Sequence, residues 1–165
     1  MTEPDLRQTQ TRALKLFVVA TLVVGASASL FTEPNIPTWY AHLLRPAIAP
    51  PNWVFAPVWT TLYVLMAVAA WRVWRVAGAV SRPLLLFYLQ LALNAAWSFL
   101  FFKAHHIAYA LADIVALLVA ILATSHAFGR RDRVAQILFL PYLVWVSFAT
   151  VLNGAIWWLN GMPTT

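Results

Sequence analysis

The sequence predicts an all-α membrane protein, a bundle of five transmembrane helices with a long Pro-rich first loop acting as a lid. Three observations predict it. Of the 165 residues, 62% are apolar and only 10% are charged, whereas a soluble domain is about a quarter charged. The mean hydropathy is +0.75. The apolar residues gather into five runs almost free of charge, each near the roughly 20 residues that cross a bilayer, and none shows the alternation of a β-barrel strand. The same figures exclude disorder, which needs low hydrophobicity and high charge. The length suits a single membrane domain over residues 1–165. With no Cys, disulfide frameworks, thiolate metal sites, thiol catalysis and CxxCH haem attachment are excluded. The net charge of +6 is read as a membrane-orientation signal and not as a nucleic-acid surface.

Helix 1 is expected over about 13–31, from the run Leu16–Thr32, with Lys15 snorkelling at its end. Arg12 and Lys15, the apolar Leu16–Val24 and then Ala26-Ser27-Ala28 also fit a signal peptide with a cleavage site. The continuation of the apolar stretch to Phe31 favours a retained helix. The first loop, 32–52, carries Pro34, Pro37, Pro46, Pro50 and Pro51, which stiffen it against regular helix. It also carries Trp39, Tyr40 and Leu43-Leu44, too apolar for a solvated linker. It reads as a lid over the bundle, the alternative being an interfacial loop with its aromatics at headgroup level. Helix 2 is expected over 53–73, where Pro57 either kinks the helix or marks its first turn. Helix 3 spans 83–102 and holds the small-residue pair Ala92 and Ala96, a weak dimerisation signal. Helix 4 spans 106–128 and is interrupted by Asp113; helix 5 spans 134–158 and contains Pro141.

Orientation follows from the basic residues. Arg7, Arg12, Lys15, Arg72, Arg75, Arg82, Arg130, Arg131 and Arg133 fall on one side of a five-helix topology, and only Arg45 and Lys103 on the other. The N-terminus is therefore expected inside and the C-terminus outside, in a cytoplasmic or inner type of membrane.

The nine Trp divide by depth. Trp39, Trp53, Trp71, Trp74, Trp157 and Trp158 lie at helix ends or in the loop, where an interfacial belt accounts for them. Trp59, Trp97 and Trp145 lie deeper, in the middle or lid half, and their indole N–H groups need partners inside the bundle. Helix 3 aligns Gln90, Asn94, Trp97 and Phe101 on one face; helix 5 aligns Trp145, Ala149 and Asn153; helix 2 aligns Trp59, Tyr63 and Met66. Aromatic walls with a few placed polar groups describe a small-molecule pocket. Packing filler and helix–helix amide bonds are the competing explanation. Asp113 is the one deep acid, either functional or structurally paired with Lys103, His106 or a neighbouring helix. His42, His105, His106 and His126 lack metal-ligand spacing, so no metal is expected. No nucleophile–base set, carboxylate pair or phosphate-cradling loop is present, and neither are transporter repeats or channel charge rings.

Trp39-Tyr40, Arg45-Pro46, Pro50-Pro51-Asn52-Trp53-Val54-Phe55, Val58-Trp59-Thr60 with Leu62-Tyr63 and Met66, then Gln90, Asn94, Trp97 and Phe101-Phe102, and last Pro141-Tyr142-Leu143-Val144-Trp145 with Phe148-Ala149-Thr150 and Leu152-Asn153, run in one order along residues 14–158. In these the chain resembles the TspO family, also called translocator protein, peripheral benzodiazepine receptor or tryptophan-rich sensory protein. The resemblance implies a five-helix homodimer in the lipid bilayer that binds protoporphyrin IX, haem and related hydrophobic ligands, with no cofactor required. It implies a receptor or transporter-like role in porphyrin homeostasis or stress signalling. By similarity the pocket uses Tyr40, Trp59, Tyr63, Asn94, Trp97, Trp145 and Ala149, and the polar face of helix 3 adds Gln90 as a further hydrogen-bonding group. Trp59 and Trp145 match the pair linked in some members to light-dependent porphyrin breakdown, so an enzymatic role and a structural role in membrane assembly stand as alternatives. The sterol pattern of animal members is broken here: Gly154 takes the aromatic place and no basic residue follows.

Overall fold

The computed structural model describes residues 3–79 and 81–161. It consists of α1 (Glu3–Thr32), α2 (Phe55–Ala77), α3 (Arg82–Ser98), α4 (Ile107–Gly129) and α5 (Arg133–Gly161). With its flanking turns, each helix is long and apolar enough to cross a membrane, and no strand occurs among the described residues. The chain is thus an integral, multi-pass membrane protein of the all-α class.

Two elements differ from the expected boundaries. α1 begins at Glu3 and not near residue 13. Its polar first turns suit a helix: Glu3 and Asp5 lie at the positive end of the helix dipole, and Arg7 pairs with Glu3 at 2.7 Å one turn away. The Trp71 indole donates to the Gln10 carbonyl at 3.0 Å and holds this extension against α2. α3 ends in a π-helical turn, Phe99–Lys103. The wider turn turns two successive rings, Phe101 and Phe102, into the interior together. Pro57 falls in the first turn of α2, whereas Pro141 sits inside an unbroken α5.

Packing contacts give the order of helices around the bundle as α1, α2, α5, α4, α3, with α1 closing back on α3. The core near the basic end is ring-rich: Phe87, Phe128, Phe139 and Tyr142 are buried and meet edge to face or stacked. There Arg72 of α2 reaches Asp132, in the α4–α5 connection, at 2.9 Å. Asp132 also caps α5 by accepting the Ala135 N–H at 3.0 Å.

The first loop folds over the opposite end of the bundle in three single 3₁₀ turns, Glu33–Asn35, Tyr40–His42 and Asn52–Val54. Tyr40 is only 3% exposed and packs on Phe101 and Phe102. Two clasps hold the loop. Trp39 stacks on His105 at 4.3 Å while His105 Nε2 meets Asn35 Oδ1 at 3.1 Å. The Asn160 amide exchanges two hydrogen bonds of 2.9 Å with the Leu44 backbone. His105 adopts a left-handed backbone, φ 58°, so the first clasp holds a strained residue in place.

Burial alone would raise the Asp132 carboxyl, but the Ala135 amide and the Arg72 guanidinium outweigh it and hold the group below the usual carboxylate range. The folded form is therefore the stronger acid. Its stabilisation is fully present above the unfolded value of about 3.9 and is lost as pH falls through the lower folded value. Asp132→Asn should lower stability at pH 7 by about 1–3 kcal/mol. Thermal melts in detergent should find that deficit shrinking at pH 3.

Candidate functional site

A cavity of about 550 Å³ lies beneath the lid, between α1, α2, α3 and α5. This volume is within the roughly 300–1,000 Å³ of small-molecule sites. Its aromatic lining comes from Phe55, Trp59 and Tyr63 of α2, from Trp97, Phe101 and Phe102 around the end of α3, and from Tyr40 of the lid. α5 contributes Ala149, Leu152, Asn153 and Ile156, and α4 contributes none of the lining. Trp97 stacks on Phe101 with centroids 5.3 Å apart, and Trp59 packs on Tyr63 at 5.6 Å. The Trp97 indole donates to Asn153 Oδ1 at 3.0 Å, and Asn153 Nδ2 donates to the Ile107 carbonyl at 3.2 Å. That relay gives a deep indole its partner and ties α3 to the start of α4 through α5.

Below the cavity lies a closed polar network. Tyr63 Oη donates to Asn94 Oδ1 at 2.6 Å, Asn94 Nδ2 donates to Tyr142 Oη at 3.2 Å, and Tyr142 Oη donates to Gln90 Oε1 at 2.9 Å. The chain ends where Gln90 Nε2 meets Met66 Sδ at 3.8 Å. Three helices supply these groups, and each is 4% exposed or less. In hydrocarbon an unpaired amide or phenol is costly, so the network satisfies its members and joins α2, α3 and α5 at once.

Of the residues expected at the site, Tyr40, Trp59, Tyr63, Trp97 and Ala149 line the cavity. Gln90 and Asn94 lie outside the lining, in the network beneath it; Asn94 touches the site through the Tyr63 hydroxyl. Trp145 also lies outside the lining, packed against Phe55 at 6.0 Å and Phe148 at 5.7 Å. Trp97 is held by a hydrogen bond, whereas Trp59 and Trp145 are held by ring contacts. Of the alternatives open to Asp113, pairing with Lys103 or His106 is not formed among the described residues, and the buried Oδ2 of Asp113 has no hydrogen-bond partner. In the lid, burial raises the Tyr40 hydroxyl above the ordinary phenol value, opposed by Arg45, whose guanidinium carbon lies 5.2 Å from the ring centre. Tyr40 is thus a neutral hydrogen-bonding group at physiological pH.

Sequence reasoning did not assign the α1 wall, formed by Leu22, Gly25, Ala26, Ala28, Ser29 and Thr32. The signal is the run of small residues from Gly25 to Ser29, within which Ala26-Ser27-Ala28 also fits a cleavage site. In the fold this run sits in the last two turns of α1 and makes room for the α2 aromatics. A Cβ at position 25 would lie 2.5 Å from Tyr63 Cε2, so only Gly lets α1 approach that ring. Thr21 Oγ1 secures the approach by donating to the Tyr63 carbonyl at 3.1 Å.

Comparison with known proteins bears on the same segments. The sequence model of the TspO/MBR family matches residues 17–159. A tryptophan-rich protein TspO from Archaeoglobus fulgidus is 40% identical over 144 residues, covering 87% of this chain and 94% of that protein. A tryptophan-rich sensory protein from Cereibacter sphaeroides is 38% identical over 145 residues, covering 88% and 91%. The human translocator protein is 41% identical over 123 residues, covering 72% and 73%.

The Gly25–Tyr63 contact has a testable cost. Because Asn94 holds the Tyr63 hydroxyl, the ring cannot swing away cheaply, and Gly25→Ala should destabilise by about 1–3 kcal/mol. In a Tyr63→Ala background the same substitution should cost close to nothing. A double-mutant cycle read by thermal denaturation measures the difference.

Proposed function

This chain belongs to the TspO/MBR family, and from that premise we propose that it is a membrane receptor that takes a flat hydrophobic tetrapyrrole, protoporphyrin IX or haem, into the cavity under its first loop. The observation that carries the reading is the aromatic cavity itself. Trp59 and Trp97 sit on opposing helices of its lining, each braced from behind, Trp59 by Tyr142 at 6.2 Å and Trp97 by Asn153. Two braced indoles suit the faces of a planar macrocycle, each stack being worth about 0.5–1.5 kcal/mol beyond area burial. The polar lining is sparse, with Tyr40, Asn52, Ser98 and Thr60 available to orient edge groups. Arg45, beside Tyr40, supplies a cation at the lid for a propionate.

The orientation belongs to the same reading: the end carrying Arg72, Arg75, Arg82 and Arg130–Arg133 faces the cytoplasmic side, and the lid faces away from it. So does assembly as a homodimer.

Titration of protoporphyrin IX against intrinsic Trp fluorescence tests the site. Trp59→Ala and Trp97→Ala should each weaken binding by about tenfold, the loss of one stacked wall plus its buried area. Trp145→Ala, shielded by Phe55, should weaken it by only about twofold to threefold. Wild-type affinity in both Trp59→Ala and Trp97→Ala would remove the cavity as the binding site.

A further inference from the structure

The cavity is closed above and open at one side. Above it the lid is held by the Trp39–His105 stack and by the paired Leu44–Asn160 hydrogen bonds. Opposite the opening, the lining from α3 and α5 is buried or half-buried, with Ser98, Phe101, Leu152, Asn153 and Ile156 all at 8% exposure or less. The exposed lining residues are different: Leu22, Ala26 and Glu33 from α1 and the turn after it, and Asn52, Ala56 and Thr60 from α2 and the turn before it. Each trio recurs at three- to four-residue or seven-residue steps along one helical edge. The two edges face each other across a seam. Deeper in the bundle the seam shuts, where Thr21 bonds to the Tyr63 carbonyl and Gly25 meets the Tyr63 ring.

We propose that this α1–α2 seam is a lateral portal, through which a planar hydrophobic ligand dissolved in the lid-side leaflet enters the cavity without the lid opening. The chemistry of the seam suits that route. Its flanks are Leu22, Ala26 and Ala56, small or apolar side chains that a bilayer-borne ring slides past without desolvation cost. Thr60, one turn deeper than Ala56, spends its hydroxyl on the Ala56 carbonyl at 2.8 Å, and the other polar groups of the seam, Asn52 and Glu33, lie toward the lid, Glu33 being the charged residue among the described lining. A ligand entering there meets apolar walls at hydrocarbon depth while its polar edge stays at the interface. The lid clasps would hold the bound ligand in, while exchange follows the seam.

The inference rests on the ligand reading above, and two measurements separate them. In liposomes, stopped-flow quenching should find the association rate of protoporphyrin IX cut at least tenfold by the double plug Ala26→Trp/Ala56→Trp, with dissociation slowed comparably. Leu44→Cys/Asn160→Cys bridged by a bismaleimide should leave the association rate within twofold of wild type. A plugged seam with an unchanged rate, or a clamped lid that stops binding, would overturn the portal. The second measurement needs no porphyrin. Because the chain has no Cys, Ser98→Cys places a single thiol inside the cavity. Bilayer-partitioned pyrene maleimide should label it at least tenfold faster than a membrane-impermeant sulfonated maleimide, and the plug should abolish that advantage. Faster labelling by the sulfonated reagent, indifferent to the plug, would place the entrance at the lid instead. Absence of porphyrin binding in the wild type would overturn the ligand class, and labelling alone would then decide the portal.

Discussion

The hydrogen-bond chain Tyr63–Asn94–Tyr142–Gln90 is the constraint on which the rest of the bundle depends. In hydrocarbon, apolar packing alone gives helices little reason to choose one partner over another. Four polar groups that can satisfy one another only when α2, α3 and α5 sit at one rotation and one depth supply that reason. The consequences propagate upward. The network fixes the Tyr63 ring; the ring demands Gly at position 25 of α1; and the small residues around Gly25 leave space above the ring where a larger side chain would fill it. The cavity is thus a by-product of where the polar floor stops. Trp97 and Asn153 form a second, smaller tie one layer higher, which keeps the far wall upright.

Much of the architecture was legible in the sequence, and the limits have physical causes. Five charge-poor runs announce five spans because a bilayer tolerates little else. The helical spacing of Gln90, Asn94 and Trp97 announces an interior face. Spacing does not say whether an interior residue borders a void or a neighbouring helix, and this is why Gln90 and Asn94 lie in the floor instead of the lining. Trp145 has the right face and depth, but Phe55, from the start of another helix, packs against it, and no pattern within α5 reveals that. The α1 wall is not legible in the sequence because small residues such as Gly25 are informative only when the large group opposite them, here Tyr63, is known. Hydropathy marks the membrane and not the helix, so α1 runs on past its apolar stretch to Glu3.

The lid and the seam divide two tasks that a ligand pocket in a membrane must perform. Retention needs a cover with specific, breakable contacts, and the two clasps of the first loop provide them at two points, one on the α3–α4 connection and one on the end of α5. Exchange needs a route that does not carry a hydrophobic ligand through water. On the proposed reading the seam between α1 and α2 serves it, since α1 is fastened to α2 at Tyr63 and the lining residues on the two edges above are exposed. Asp113 stands apart from both tasks, on the one helix that contributes nothing to the lining.

The most direct measurement is a crystal structure of the protein with protoporphyrin IX. The macrocycle should lie under the first loop with its faces against Trp59 and Trp97, above an intact Tyr63–Asn94 hydrogen bond, with the Leu44–Asn160 clasp closed. Porphyrin density on the outer surface of the bundle, with the cavity empty beneath the lid, would contradict the assignment of this cavity as the receptor site.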